Sequence, residues 1–215
     1  MAQLNLRVVD LYRGDKVENL QKAADFGIWG VIHRATWGTD DDDAKQYRAV
    51  REAAQKAGLL WGAYHFGTKQ DVPTQVKKFL DLAKPDKDTL VALDYEQSNT
   101  HPELKMQLTH ARDFMQRIAD KLGRKPVIYS GHNLKEDLGS KVDAFFGSHR
   151  LWLADYRKNW SVQKSWKTYW LRQYTDNKNK NPPNQVPGIP GDSKGNLDCN
   201  TYESTREKLA AEWAS

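Results

Sequence analysis

At 215 residues, 39% of them hydrophobic and 28% charged, the chain is long enough for one sizeable core and too short for a second complete domain beside it. No apolar run approaches the roughly 18–20 residues of a membrane span, and the composition is that of a folded chain rather than a disordered one. A net charge of +5 favours a polyanionic partner such as nucleic acid, an anionic membrane surface or a bacterial wall polymer, and a lone Cys199 excludes an intrachain disulfide and a cysteine zinc site.

The opening residues, Met1 to Arg7, lack a basic region followed by a long apolar segment, so no secretory signal peptide is expected. Leu6 to Leu11 reads as a first strand carrying Asp10 near its end, and Val17 to Phe26 as a first helix. A second strand, Gly30 to Thr36, ends in His33-Arg34-Ala35-Thr36; the acidic run Asp40 to Asp43 that follows reads as a solvated loop leading into a helix N-terminus, where negative charge suits the dipole. A helix over Ala44 to Ala57 stops at Gly58, a third strand spans Leu60 to Phe66 with Tyr64 and His65, and a helix over Thr74 to Ala83 stops before Pro85. The fourth strand, Thr89 to Glu96, precedes a long helix over Pro102 to Leu122 that stops at Gly123. Strands at Pro126 to Ser130, Arg150 to Tyr156, Tyr169 to Tyr174 and Leu197 to Tyr202 complete the set, joined by segments too short or too loop-like for a full helix each. Asp176 to Asn196 is polar and turn-rich and reads as a long surface loop, with a hairpin as the alternative.

Strands alternating with helices predict an α/β protein, and eight strands with weakening helices predict an irregular TIM-like (β/α) barrel with fewer than eight helices, a single domain over residues 1–215. In a parallel barrel the C-terminal strand ends share one rim. That rim would gather four acids, Asp10, Asp94, Glu96 and Asp198, together with Arg34, Tyr64, His65, Asp155, Tyr156 and Gln173.

The fourth strand carries the sharpest signal. An apolar run, Leu90-Val91-Ala92-Leu93, ends in Asp94-Tyr95-Glu96, so two carboxylates separated by one residue project from the same face about 6–7 Å apart. Like charges that close raise at least one pKa, and a carboxylic acid held protonated beside an ionised partner is the equipment of glycosidic-bond cleavage. His33 and His65 carry two readings, a buried structural ring or a substrate contact. No spaced metal-ligand motif occurs, so neither a metal nor another cofactor is expected. The basic residues Lys164, Lys167, Arg172, Lys178 and Lys180, interleaved with Trp160, Trp166, Tyr169 and Trp170, would suit nucleic acid or an anionic cell wall equally.

The ordered motifs resemble the glycoside hydrolase family 25 lysozymes, also called Chalaropsis-type N-acetylmuramidases. The resemblance rests on Val9-Asp10, Ile32-His33-Arg34-Ala35-Thr36-Trp37-Gly38-Thr39, Gly62-Ala63-Tyr64-His65-Phe66 and Leu93-Asp94-Tyr95-Glu96. It continues through Val127-Ile128-Tyr129-Ser130, Leu151-Trp152-Leu153-Ala154-Asp155-Tyr156, Trp170-Leu171-Arg172-Gln173-Tyr174 and Leu197-Asp198-Cys199-Asn200. It implies Glu96 as general acid, Asp94 as its partner, Asp10 and Asp198 as further rim carboxylates, and Tyr64 as a stabiliser of the positively charged transition state. Tyr64, His65, Arg34, Tyr129, Trp152, Asp155, Tyr156 and Gln173 are the expected substrate-binding set. Arg34 stands where a lysine is common in relatives.

The resemblance further implies a monomeric, endo-acting muramidase for bacterial peptidoglycan. With no internal repeat, low-complexity tail, interdomain linker or long apolar run in the sequence, no separate wall-binding domain and no membrane insertion are expected, nor a nucleic-acid partner, and the wall would be reached through a holin, a secretion apparatus or a trimmed secreted precursor. Direct attack by a carboxylate and attack by the substrate's own N-acetyl group both remain open. Two rivals stand beside this reading: a catalytically silent wall-binding module, and a basic nucleic-acid-binding protein.

Overall fold

Alternate residues along each apolar strand part to opposite sides of the sheet, and that parting builds two cores rather than one. In the computed structural model, which describes residues 5–41, 44–175 and 185–215, the strands are β1 (Leu6–Leu11), β2 (Gly30–Trp37), β3 (Asp40–Asp41), β4 (Leu60–Phe66), β5 (Leu90–Asp94), β6 (Val127–Ser130), β7 (Leu151–Ala154), β8 (Leu171–Thr175) and β9 (Asp198–Thr201). Around them lie the helices α1 (Leu20–Phe26), α2 (Ala44–Lys56), α3 (Val72–Ala83), α4 (Leu108–Leu122), α5 (His132–Leu138), α6 (Ala144–Gly147) and α7 (Arg206–Trp213). The sheet runs β1-β9-β8-β7-β6-β5-β4-β2 and closes through a β1–β2 pairing, giving the expected eight-stranded barrel, with the two-residue β3 appended to β2 as a hairpin.

Val8, Ile32, Leu90, Ala92, Val127 and Leu171 fill the barrel interior beneath Tyr64, Tyr129 and Trp152. Their neighbours Val9, Val31, Ala63, Val91, Leu93, Ile128 and Leu153 face outward and pack against Leu20, Val50, Val76, Phe79, Phe114 and Ile118 of the helices. Helix ends fall where local chemistry stops them. Asn19 caps α1 by accepting from the Lys22 amide, and Gly27, in the left-handed region at φ 116°, ends it.

Five expectations are corrected. The barrel is not wholly parallel, because β9 runs antiparallel to both β8 and β1. The helix expected over Pro102 to Leu122 is broken into a 3-10 turn at Pro102–Leu104 and α4; Lys105 bridges to Thr68, and the Leu104 carbonyl accepts from the Lys69 amide, which draws the intervening chain onto the end of β4. β5 ends at Asp94, leaving Glu96 just beyond the ladder. The expected Asp176 to Asn196 loop lies partly outside the described residues, over 176–184, but its later part is docked. Gly188 accepts from the amides of Glu18 and Asn19, and Val186 and Ile189 are buried. Of the acidic run after β2, residues 42–43 also lie outside the described residues, while Asp40 and Asp41 form β3.

α7, which the sequence pattern did not reveal, closes the end of the barrel opposite the acidic rim. Its Leu209 and Trp213 enter the interior core, the Trp213 indole donates to the Trp61 carbonyl at 2.6 Å, and the ring lies so close to Gly30 that a Cβ there would sit 2.9 Å from it. Arg150, Trp170 and Tyr202 tie the same helix to three further strand ends through Glu212 and the terminal carbonyls. Among the described residues, no helix is long and apolar enough to cross a membrane.

Candidate active site

With one end plugged, chemistry has the other rim. Asp10 lies near the end of β1, and the reversed β9 brings its first residue, Asp198, directly opposite in register. A parallel last strand would have carried Asp198 to the far end. Asp94 closes β5 on the inward face, and Tyr95 behind it packs outward, its hydroxyl donating to Asp137 at 2.6 Å, so Glu96 returns to the side of Asp94.

Asp10 is clamped. Gln173 Nε2 donates to both its oxygens at 3.0 Å, and Asn200 Nδ2 donates to Oδ2 at 2.7 Å. Each donor is itself oriented: Trp152 Nε1 donates to Asn200 Oδ1 at 2.6 Å, and Gln173 Oε1 accepts from the hydroxyls of Tyr129 at 2.9 Å and Tyr156 at 2.7 Å. Burial nevertheless outweighs these donors and pushes the Asp10 carboxyl up to about 6.

The pair from the fourth strand is deeper in electrostatic terms. Asp94 is 4% exposed, and its Oδ1 is buried without a hydrogen-bond partner. Burial raises this carboxyl well above the usual range, the charge of Glu96 raises it further, and the Arg34 guanidinium opposes both. Glu96 is less enclosed; burial pushes it up to about 7, the charge of Asp10 adds to the rise, and Arg34 again opposes it. Burial and mutual repulsion together disfavour a doubly ionised pair, so the two carboxyls keep a proton between them to higher pH than a free carboxyl would.

The remaining expected site residues separate into three groups. Tyr64 and Tyr129 lie on the inward face, both mostly buried and both held as neutral phenols by that burial, and Arg34 stands over the Tyr12 ring at 5.2 Å. Trp152, 1% exposed, and Gln173, 2% exposed, sit below the surface and hold Asn200 and Asp10 rather than offering faces to a ligand; Tyr156, 41% exposed, reaches solvent.

His65 and Asp155 are corrections. As the neighbour of inward-facing Tyr64, His65 points outward: it is 0% exposed, stacks on Phe114 at 4.6 Å, and its ring nitrogens bond Thr36 and Gln75. It is a structural ring. Asp155 is occupied by Arg157 and Lys135 and by the amides of Arg157 and Ser161, which hold its carboxyl below the usual range even against burial. It anchors the chain that follows β7.

Asn200 was visible at the strand end but had no role assigned. Asp15 gave no signal beyond its turn: its carboxylate accepts from the Tyr12 amide at 2.8 Å, and burial, then the charge of Asp10, pushes it up to about 7. In the basic, tryptophan-rich third, Lys178 and Lys180 lie outside the described residues. Arg172 is buried against the Asp155 and Arg157 carbonyls, and the Trp166 and Trp170 indoles donate to His149 O and Glu212. Among the described residues, no three His, Cys, Asp or Glu side chains are grouped to hold a metal ion. Cys199 is buried, with its thiol pushed up by desolvation, so the thiolate is disfavoured.

Raised carboxyls give the fold a pH signature. Asp10, Asp15 and Glu96 bind protons more tightly folded than unfolded, so their stabilisation is complete below about pH 4 and is lost as pH rises through 6 to 7. The melting temperature should be at least about 5 °C higher at pH 5 than at pH 8, with Glu96→Gln flattening the difference. An unchanged melting temperature across that window would contradict the burial described here.

Residues 9–182 match the sequence profile described as glycosyl hydrolases family 25. A curated relative, the uncharacterized protein YegX of Escherichia coli O157:H7, is 26% identical over 166 residues, covering 74% of this chain and 54% of that protein, so the chain spans about half of the relative's length. Among solved structures, the bacterial lysozyme from Streptomyces coelicolor superposes with a TM-score of 0.80 at 23% identity, over 98% of this chain and 97% of that one. A family GH25 lysozyme from Aspergillus fumigatus superposes with a TM-score of 0.78 at 24% identity, over 98% and 99%. At such identities these structures establish a shared fold.

Proposed function

The chain belongs to glycosyl hydrolases family 25, and from that premise we propose that it is a lysozyme, an endo-acting N-acetylmuramidase that cleaves the β-1,4 bond between N-acetylmuramic acid and N-acetylglucosamine in bacterial peptidoglycan. The observation that carries this reading is the Asp94/Glu96 pair, two carboxyls on one face at a barrel rim, both raised by burial and opposed by one cation, Arg34. Solved structures sharing the fold are described as lysozymes, which supports the same chemistry.

In the mechanism we propose, Glu96, with a pKa near 7, holds a proton at pH 6 and delivers it to the leaving glycosidic oxygen. Asp94 faces the other side of the reacting sugar, as nucleophile or as the group that orients the substrate's N-acetyl arm. Arg34 makes an ionised carboxylate accessible within the pair, because its charge works against the rise at both members. Asp10, immobilised by Gln173 and Asn200, and Asp198 supply the negative field in which an oxocarbenium-like transition state is favoured. Tyr64, a neutral phenol at that level, presents a hydroxyl rather than a charge. The barrel acts as a monomer on glycan strands of the wall, and its net charge of +5 favours approach to an anionic polymer.

Mass spectrometry of digested peptidoglycan tests the reading. Muramic acid at the new reducing ends is the expected result; glucosamine there would make the protein a glucosaminidase, and an undigested wall would leave a silent binding module. Proton NMR of the first-formed anomer should show retained configuration, as attack on the anomeric carbon by Asp94 or by the substrate's N-acetyl group requires; the inverted anomer would mean direct attack by water.

A further inference from the structure

β2 contains one irregularity, and it lies at the rim. In its pairing with β4, Arg34 is the partner of Tyr64, but the next pair is Thr36 with His65, so Ala35 is an extra residue. Up to that point the even residues of β2, Ile32 and Arg34, share the face of the barrel interior. Past the bulge the phase is inverted. Thr36 turns outward to meet His65, and Trp37 comes into register with Phe66, which in turn is in register with Asp94. Bulges at barrel rims re-aim side chains in this way. Without the extra residue Trp37 would lie on the outer face with Val31.

The turned ring does not enter either core. It stacks on Phe66 with centroids 5.7 Å apart and planes 20° from parallel, and His101, from the chain that follows Glu96, meets it edge-on at 5.6 Å. Phe66 is 6% exposed beneath it, while Trp37 itself stays partly open to solvent. The row Trp37, Phe66, Asp94 thus sets a backed, flat aromatic face two strands from the reacting carboxyl, and His101 borders it.

We propose that Trp37, turned by the bulge and backed by Phe66, is a sugar-stacking platform that holds an N-acetylhexosamine ring of the glycan beside the Asp94/Glu96 pair and so sets part of the substrate affinity. This rests on the glycan-cleaving reading above. A pyranose presents a face of axial C–H bonds, and a rigid aromatic face supported from behind binds it with little ordering cost. Phe66 supplies that support.

The experiment uses a soluble peptidoglycan tetrasaccharide of alternating N-acetylglucosamine and N-acetylmuramic acid, titrated into the full chain carrying Glu96→Gln so that it is not consumed. Trp37→Leu keeps an apolar cover over Phe66 but removes the flat face, and should weaken binding roughly 5–20-fold; Trp37→Phe should stay within about threefold. Sugar ring protons should move upfield on binding through the ring current of the indole, and that displacement should vanish in Trp37→Leu. Equal affinity and unchanged proton shifts in Trp37→Leu would overturn the platform, even if its melting temperature fell. Absence of tetrasaccharide binding in the Glu96→Gln chain, together with no wall digestion by the unsubstituted protein, would instead remove the glycan reading on which the platform depends.

Discussion

Glu96→Gln should lower the rate of wall-glycan cleavage by roughly 10²–10⁴-fold with the barrel intact, the range that loss of a general acid produces. Glutamine preserves the shape and removes only the transferable proton, so circular dichroism and melting at pH 5 should match the unsubstituted chain. Asp94→Asn should cost a comparable factor by a different route, and the two variants separate in their stability. The Asp94 carboxyl is buried, carries an unpartnered oxygen and has Glu96, Asp10 and Asp198 raising its pKa. Replacing it with a neutral amide removes that repulsion, so Asp94→Asn should melt several degrees higher at pH 8. The gain should shrink as pH falls and the carboxyl takes up its proton. Full activity in Glu96→Gln would assign the proton to another group, and an Asp94→Asn protein less stable at pH 8 would mean that its carboxylate is held by partners rather than strained by neighbours.

Trp213→Ala should be the most destabilising single substitution in the closing helix, by about 3–5 kcal/mol, the range for deleting a large buried aromatic ring. The ring is 1% exposed, joins the interior core below Ile32 and Leu90, and donates to the Trp61 carbonyl at 2.6 Å. Its removal opens a cavity at the foot of the barrel and leaves that carbonyl without its donor. Trp213→Phe isolates the second loss, because the ring body remains and only the indole N–H is gone; about 1 kcal/mol is expected. Urea unfolding monitored by far-ultraviolet circular dichroism measures both. A Trp213→Ala chain within 1 kcal/mol of the unsubstituted one would mean that α7 merely covers the barrel rather than closing it.

Strand periodicity made much of this architecture legible. The alternation in β1 and β5 puts Asp10 and Asp94 on the interior face, and Gly and Pro mark the ends of α2, α3 and α4 in the sequence as in the fold. The same alternation should have turned His65 away, since a strand residue next to inward-facing Tyr64 cannot share its side. Its aromatic pocket, made by Phe79 and Phe114, comes from helices distant in sequence. The direction of β9 was not legible, because four residues carry no arrow, and Asp198 joins the rim only through that reversal. Asp155 was misread because its cations, Arg157 and Lys135, lie in the chain around it rather than in the barrel pattern. The bulge at Ala35 was invisible for a related reason: an inserted residue is defined by the partner strand, not by its own sequence. α7 escaped notice because its inward face consists of only two residues, Leu209 and Trp213, one turn apart.

The clamp on Asp10 has a consequence for how the protein comes into being. Its two donors, Gln173 and Asn200, stand 163 and 190 positions further along the chain, and β1 is enclosed between β2 and the last strand to be made. A growing chain released residue by residue has no ordered Asp10 and no closed rim until its final strand has inserted beside its first. Such non-local pairing folds late. A chain cut short before β9 lacks the Asn200 donor, Asp198 and the closing strand, and is expected to leave the rim unassembled.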